Sequence, residues 1–169
     1  MRQLLFVLFV FVGASVFAQT KIGHVNTQKL LDTLPSRKEA IKKLDAFRQE
    51  GFKELQEMQK GFEAQVAKFR EKEKDLSPVM LQMEQEKLMK KQQAIEDRQE
   101  ELEQQLQVYS EELNKPILER VQKAVEIVSD RKKLNYVIDE SVTLYFKGGI
   151  DCTSEVMTEL LKLDAEAKK

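Results

Sequence analysis

Residues 36–75 read SRKEAIKKLDAFRQEGFKELQEMQKGFEAQVAKFREKEKD, and Leu76-Ser77-Pro78-Val79 follows directly. Apolar side chains recur there as Ile41, Leu44, Phe47, Phe52, Leu55, Met58, Phe62, Val66 and Phe69, then Leu76. Ile41 to Leu76 covers 35 residues, a whole number of seven-residue repeats, which is the coiled-coil period. Ser36 and Glu39 have the S-x-x-E spacing of a capping box, so a long helix is predicted from Ser36 to about Asp75. Gly51 and Gly61 lie inside it, and each costs about 0.5–1 kcal/mol relative to Ala. Close packing against a partner helix and deliberate bending both account for a glycine there.

Working outward, Ser77 suits an N-cap and Pro78 a first helical residue, so a second long helix restarts almost at once. It carries Leu81, Leu88, Ile95, Leu102 and Tyr109, each seven residues after the last. The positions between them are first polar (Gln85, Gln92, Gln99), and then the stripe thickens through Leu106, Leu113, Ile117, Val121, Ala124, Val125 and Val128. The two helices therefore fold back as one antiparallel hairpin, thinly packed near residues 76–79 and well packed away from them. Helical stability comes mainly from such a face, so the tip half frays more easily. Residues 36–75 hold 11 basic and 9 acidic side chains, a net of +2, and residues 79–130 hold 7 and 12, a net of −5. Opposite signs favour pairing, although each exposed pair contributes only about 0–1 kcal/mol. Pro116 should kink the second helix or mark its passage out of the hairpin.

The flanks are different. Arg2 precedes an apolar run from Leu4 to Val12, and Val16-Phe17-Ala18 fits a cleavage site, so residues 1–18 are expected to be a secretory signal peptide cut after Ala18. Lys21-Ile22-Gly23-His24-Val25-Asn26 alternates as a short strand, and Asn26 or Thr27 caps a turn holding Leu30, Leu31 and Leu34, ended by Pro35. Tyr136-Val137-Ile138-Asp139 and Thr143-Leu144-Tyr145-Phe146 read as a β-hairpin, Gly148-Gly149 breaks the chain, and Thr153 caps a last helix with Val156, Met157, Leu160 and Leu161. The fold class is mainly α with a small β base: a coiled-coil hairpin arm on a strand-containing oligomerisation body. Its expected parts are 1–18 signal peptide, 19–35 base, 36–130 arm with its tip near 76–79, and 131–169 base. Such short strands bury little surface alone, so other copies of the chain should complete the base.

Composition narrows the function. Charged residues are 34% of the chain, Trp is absent, and 28 basic side chains stand against 29 acidic ones, as long helices require and nucleic-acid binding does not. With one Cys and one His, neither an internal disulfide nor a His/Cys metal cluster is expected; Cys152 reads as a buried apolar thiol and His24 as a packing or surface residue. No Gly-rich phosphate loop occurs, and Glu100-Glu101 and Glu111-Glu112 sit on a solvated helix face. No catalytic residue, cofactor, metal or small-molecule substrate is expected. Met80, Met83 and Met89 beside Leu76, Val79 and Leu81 form either the cap packing of the hairpin turn or a flexible apolar patch of the kind that adapts to varied partners.

The signal peptide, the strand Lys21–Asn26 with Thr27-Gln28-Lys29, the helical hairpin, Lys115-Pro116-Ile117, Tyr136-Val137-Ile138-Asp139 and the closing Asp151-Cys152-Thr153 together resemble the Skp (OmpH) family of periplasmic chaperones. The resemblance implies a homotrimer with three helical arms, holding unfolded outer-membrane β-barrel proteins without ATP, in the periplasm and close to a membrane surface. The apolar patch after the turn sets the expected client contacts at Leu76, Val79, Met80, Leu81, Met83 and Met89, and the short base strands set the expected subunit contacts at Ile22, Val25, Val137, Ile138, Leu144 and Phe146. The best-known members are strongly basic, whereas this chain is near neutral with an acidic second helix. A structural coiled-coil spacer or envelope adaptor without clients is the competing reading.

Overall fold

The computed structural model describes residues 20–167. The expected signal peptide lies outside the described residues. Strand β1 (Ile22–Val25) is followed by helices α1 (Thr27–Thr33), α2 (Pro35–Lys72) and α3 (Pro78–Lys132), strands β2 (Tyr136–Asp139) and β3 (Ile150–Asp151), and helix α4 (Thr153–Glu166). Single 3-10 turns occupy Glu73–Asp75 and Glu140–Val142. The chain forms two compact units, Ser36–Pro116 and the remainder on either side of it. Among the described residues no helix is long and apolar enough to cross a membrane.

In the hairpin unit, α2 has 38 residues and begins at Pro35, one residue before the start expected at Ser36. Pro35 is its first residue, where a missing N–H costs nothing. The antiparallel register with α3 follows from three contacts: Gly51 faces Leu102, Phe47 meets Tyr109 with ring centroids 5.2 Å apart, and Glu54 pairs with Arg98. The two glycines of α2 now separate. A Cβ on Gly51 would collide with the Leu102 side chain at Cδ1, whereas one on Gly61 would meet nothing within 4 Å. Gly51 is therefore a packing glycine that lets the buried Leu102 approach the α2 backbone, and Gly61 has no such contact.

The second unit is built on a three-stranded sheet of order β2-β1-β3 in which every pairing is parallel. This corrects the expected β-hairpin: Thr143–Phe146 is not a strand, and the second strand of that region is Ile150–Asp151. The cause lies at the polar turn. The Asp139 carboxylate accepts the Ser141 N–H at 3.0 Å and its carbonyl accepts the Thr143 hydroxyl at 3.0 Å, closing a 3-10 turn that ends β2. The chain then crosses over, through Gly148 and Gly149 at φ 104° and 96°, to pair with β1 from the other side. Parallel strands cannot be joined by a tight turn, so a crossover is obligatory.

One sheet face carries Gly23 and Val25 into a core with Leu30, Leu34, Val121, Ala124, Val128, Cys152, Val156 and Leu160. Gly23 is demanded by closeness, since a Cβ there would lie 2.8 Å from Leu134 Cδ1 and 3.1 Å from Cys152 Sγ. Helix α3 ends in a Schellman motif, with Leu134 N–H on the Ser129 carbonyl and Lys133 N–H on that of Asp130. Lys133 itself takes φ 56°, a role usually left to glycine. Arg120 on α3 lies 3.3 Å from the buried Asp164 of α4. Removing one partner of such a buried pair costs about 3–5 kcal/mol.

Opposite effects are expected of two identical substitutions. Gly51→Ala should destabilise by about 1–3 kcal/mol through overpacking against Leu102, and Gly61→Ala should stabilise by about 0.5–1 kcal/mol. Urea denaturation of both variants checks this, and a gain of stability in both would contradict the packing role of Gly51.

Candidate functional site

Between Gly51 and Leu102 on one side and the helix connection on the other, the hairpin unit has no fully buried apolar residue. Leu55, Met58, Phe62, Val66 and Phe69 on α2, and Leu81, Leu88 and Ile95 on α3, are only half-buried. The connection itself is well ordered chemically. Leu76 is extended, the Ser77 hydroxyl accepts the Met80 N–H at 3.4 Å, and Pro78 opens α3 as its first residue. Capping fixes where α3 starts, so the side chains just after it are held outward by the helix rather than by packing.

Of the six expected client contacts, Val79 is 69% exposed, Met89 63%, Met83 48% and Met80 45%. Leu76 and Leu81 are half-buried. The structure brings Leu76 and Met80 together with Phe69 and Leu88 as the floor of a cleft of about 660 Å³. Its rim was not foreseen as a site: Lys68 and Lys72 from α2 and Lys87, Lys90 and Lys91 from α3 surround it, with Glu84 as the one acid. A second cleft of about 460 Å³ lies farther along the same hairpin, floored by Phe47, Val108 and Tyr109 and edged by Glu101 and Glu112. Sequence reading missed it because Val108 falls off the heptad stripe, where it is 54% exposed.

The acidic block of α3 is held mostly by its own helix. Gln92, Gln93, Gln99 and Gln107 each donate to a carboxylate four residues on, and Gln104 and Gln105 to one four residues back. Each such rung contributes about 0.2–0.5 kcal/mol to the helix. Arg98 reaches across to Glu54, with Nε at 3.2 Å and Nη2 at 2.8 Å from one oxygen, and also lies 3.4 Å from Glu101. The hydrogen bonds from Arg98 hold the Glu54 carboxyl below its ordinary range, and Glu54 in turn raises Arg98.

In the sheet unit, the face opposite the core is exposed. Ile22 pairs with Tyr136 and His24 with Ile138 in register, and Ile22, Tyr136 and Ile138 are exposed at 42%, 63% and 40%. Phe146 packs its ring on His24 at 4.8 Å, Leu144 is fully exposed, and Val137 is half-buried. Val25 departs from the expected subunit contact: it is 4% exposed within this chain's own core, because the strand alternation turns it away from Ile22 and toward α1 and α4. His24 Nδ1, a Glu140 oxygen and an Asp151 oxygen lie within 4.8 Å of one another, a set that could hold a cation among the described residues. Each group is already engaged: His24 with Glu140 at 2.8 Å, Glu140 with the Asn26 amide at 2.8 Å, and Asp151 with the Thr153 N–H at 2.8 Å.

That last contact corrects the expected cap. Cys152 occupies the N-cap position of α4, the Asp151 carboxylate accepts the orphan N–H, and the Thr153 hydroxyl accepts the Asn26 N–H at 3.1 Å. Hydrogen bonds from Thr153 hold the Asp151 carboxyl below its ordinary value. Cys152 is fully buried, as expected, and burial pushes its thiol up, away from the nucleophilic thiolate.

With this geometry in place, comparison with known proteins is decisive. A family model described as "Outer membrane protein (OmpH-like)" matches residues 21–160. The chain belongs to that family, the Skp/OmpH-like chaperones. It is 28% identical to the chaperone protein Skp of Photorhabdus laumondii over 158 residues, covering 88% of this chain and 89% of that one. It is 26% identical over 168 residues to a Skp-like protein of Chlamydia pneumoniae, covering 95% of each. A crystal structure of a Caulobacter crescentus protein described as an OmpH-like outer membrane chaperone superposes with a TM-score of 0.73 at 13% identity, covering 88% of this chain and 86% of that one. That likeness carries the fold.

The low Asp151 carboxyl gives a pH test. Its contribution is complete above the ordinary carboxylate pKa of about 3.9 and is lost as pH falls through the lower folded-state value. Asp151→Asn should therefore be less stable than the wild type at neutral pH, with the gap closing in acid. Thermal melts across pH check it, and a gap constant from neutral to strongly acidic pH would contradict the cap.

Proposed function

We propose that this protein is an ATP-independent holdase that binds unfolded outer-membrane β-barrel proteins on its helical hairpin and keeps them from aggregating. The observation that carries the reading is the incompletely buried apolar surface of the hairpin, from Met58 and Phe62 to Val79, Met80, Met83 and Met89. Membership of the Skp/OmpH-like family supports it. A holdase needs many weak, adaptable contacts, and a half-buried stripe flanked by methionines supplies them without a fixed pocket.

On this reading the chain acts in the periplasm after removal of residues 1–18, near a membrane surface, and without catalysis or cofactor. It assembles with copies of itself, as a homotrimer, through the exposed sheet face. Ile22, Ile138, Leu144 and Phe146 are the contacts, supported by their exposure in a single chain. Val137 contributes from its half-buried position. A spacer or adaptor without clients would have little use for an apolar stripe left open in this way.

The purified protein, at one trimer per client and without nucleotide, should suppress light scattering by a denatured outer-membrane protein diluted from urea. Replacing Val79, Met80, Met83 and Met89 with Ser should weaken client binding by about tenfold or more, equivalent to about 1.4 kcal/mol, while the oligomer mass stays the same. Scattering that rises equally with and without the protein would favour the spacer.

A further inference from the structure

The hairpin's two clefts share an apolar floor and differ in the sign of their rims. Around the first, five lysines face a single glutamate. Lys87 lies 2.6 Å from Glu84, and among the described residues Lys68, Lys72, Lys90 and Lys91 are in no ion pair. Gathering like charges costs self-repulsion, so a rim of five lysines and one glutamate over Phe69, Leu76, Met80 and Leu88 favours an anionic border on whatever enters. Around the second, the carboxylates of Glu101 and Glu112 edge the Phe47–Tyr109 ring pair and Val108. Aromatic faces beside carboxylates suit an Arg or Lys, whose aliphatic stem lies on the apolar floor while its head meets the acids and the ring face. Leu88 and Tyr109 are 21 residues apart on α3, or about 30 Å at 1.5 Å per residue. That is several times the screening length of about 8 Å at physiological salt, so the two fields act independently.

We propose that the hairpin sorts client segments by their flanking charge: the lysine-rimmed cleft takes apolar stretches of an unfolded chain bordered by Asp or Glu, and the carboxylate-rimmed cleft takes apolar stretches bordered by Arg or Lys. This rests on the holdase reading and extends it, because a near-neutral chaperone would then serve basic and acidic clients from separate sites.

Two fluorescent unstructured peptides with the same apolar residues, one bordered by Asp/Glu and one by Lys/Arg, test the assignment by anisotropy at low and high salt. The triple variant Lys68→Glu, Lys90→Glu, Lys91→Glu should weaken the acidic peptide by about tenfold or more and leave the basic one unchanged. The double variant Glu101→Gln, Glu112→Gln should do the reverse, and both effects should fade at high salt. Each variant serves as the folding control for the other, with helical content read by circular dichroism. Equal loss of both peptides, or loss of neither, overturns the proposal. So does a lysine variant that gives up binding to phosphatidylglycerol vesicles, or changes oligomer mass, while keeping both peptides. If the wild type suppresses aggregation but the variants bind like it, only the sorting fails; if the wild type binds no peptide and suppresses nothing, the holdase reading fails with it.

Discussion

Leu102 packs on the bare backbone of Gly51, and the other features of the hairpin unit follow from how little else there is closed. A helix of 38 residues packed on a longer one gains stability from a shared apolar face, not from helical propensity alone. Here Ala40, Gly51 and Leu102 are buried, and the stripe beyond them toward Ser77 is half-open. Polar rungs along α3 and the Arg98–Glu54 bridge, both at the solvent edge, add to that face. Such contacts keep helices helical without covering their apolar face.

On the proposed reading, that division lets one surface be both structural and adhesive. An apolar residue fully buried between two helices is unavailable to a third partner, while a fully exposed one makes the protein itself prone to aggregate. Phe62, Phe69, Leu81 and Leu88 lie between these limits. Exposed Val79, Met83 and Met89 lie past them, on a helix that capping by Ser77 and Pro78 holds in place. In the sheet unit the same logic is resolved differently. One sheet face is closed over Gly23 and Val25, and the other carries Ile22, Tyr136 and Ile138 outward as an exposed apolar face.

Much of this was legible in the sequence, because the heptad spacing from Ile41, the Ser77-Pro78 restart and the thinning stripe are local patterns with direct physical meaning. Cys152 as a buried thiol was legible for the same reason. The crossover was not. A two-residue strand at Ile150–Asp151 has no periodicity to read, and the β-prone run Thr143–Phe146 is kept out of the sheet by a turn that Asp139 closes. The contrast between Gly51 and Gly61, the Arg120–Asp164 pair and the Asp151 cap all depend on residues brought together from distant parts of the chain. The lysine rim was not read as a site: Lys87, Lys90 and Lys91 lie close together in sequence, but their meeting with Lys68 and Lys72 requires the antiparallel register.

The most direct measurement is amide hydrogen exchange of the protein alone and with an unfolded outer-membrane client. Alone, residues 62–95 should exchange faster than those around Gly51 and Leu102, since half-buried stripes open more readily. With client bound, protection should rise in residues 62–95, the Met80–Met89 stretch of α3 included. Exchange that is even along the hairpin, and unchanged by client, would contradict the account.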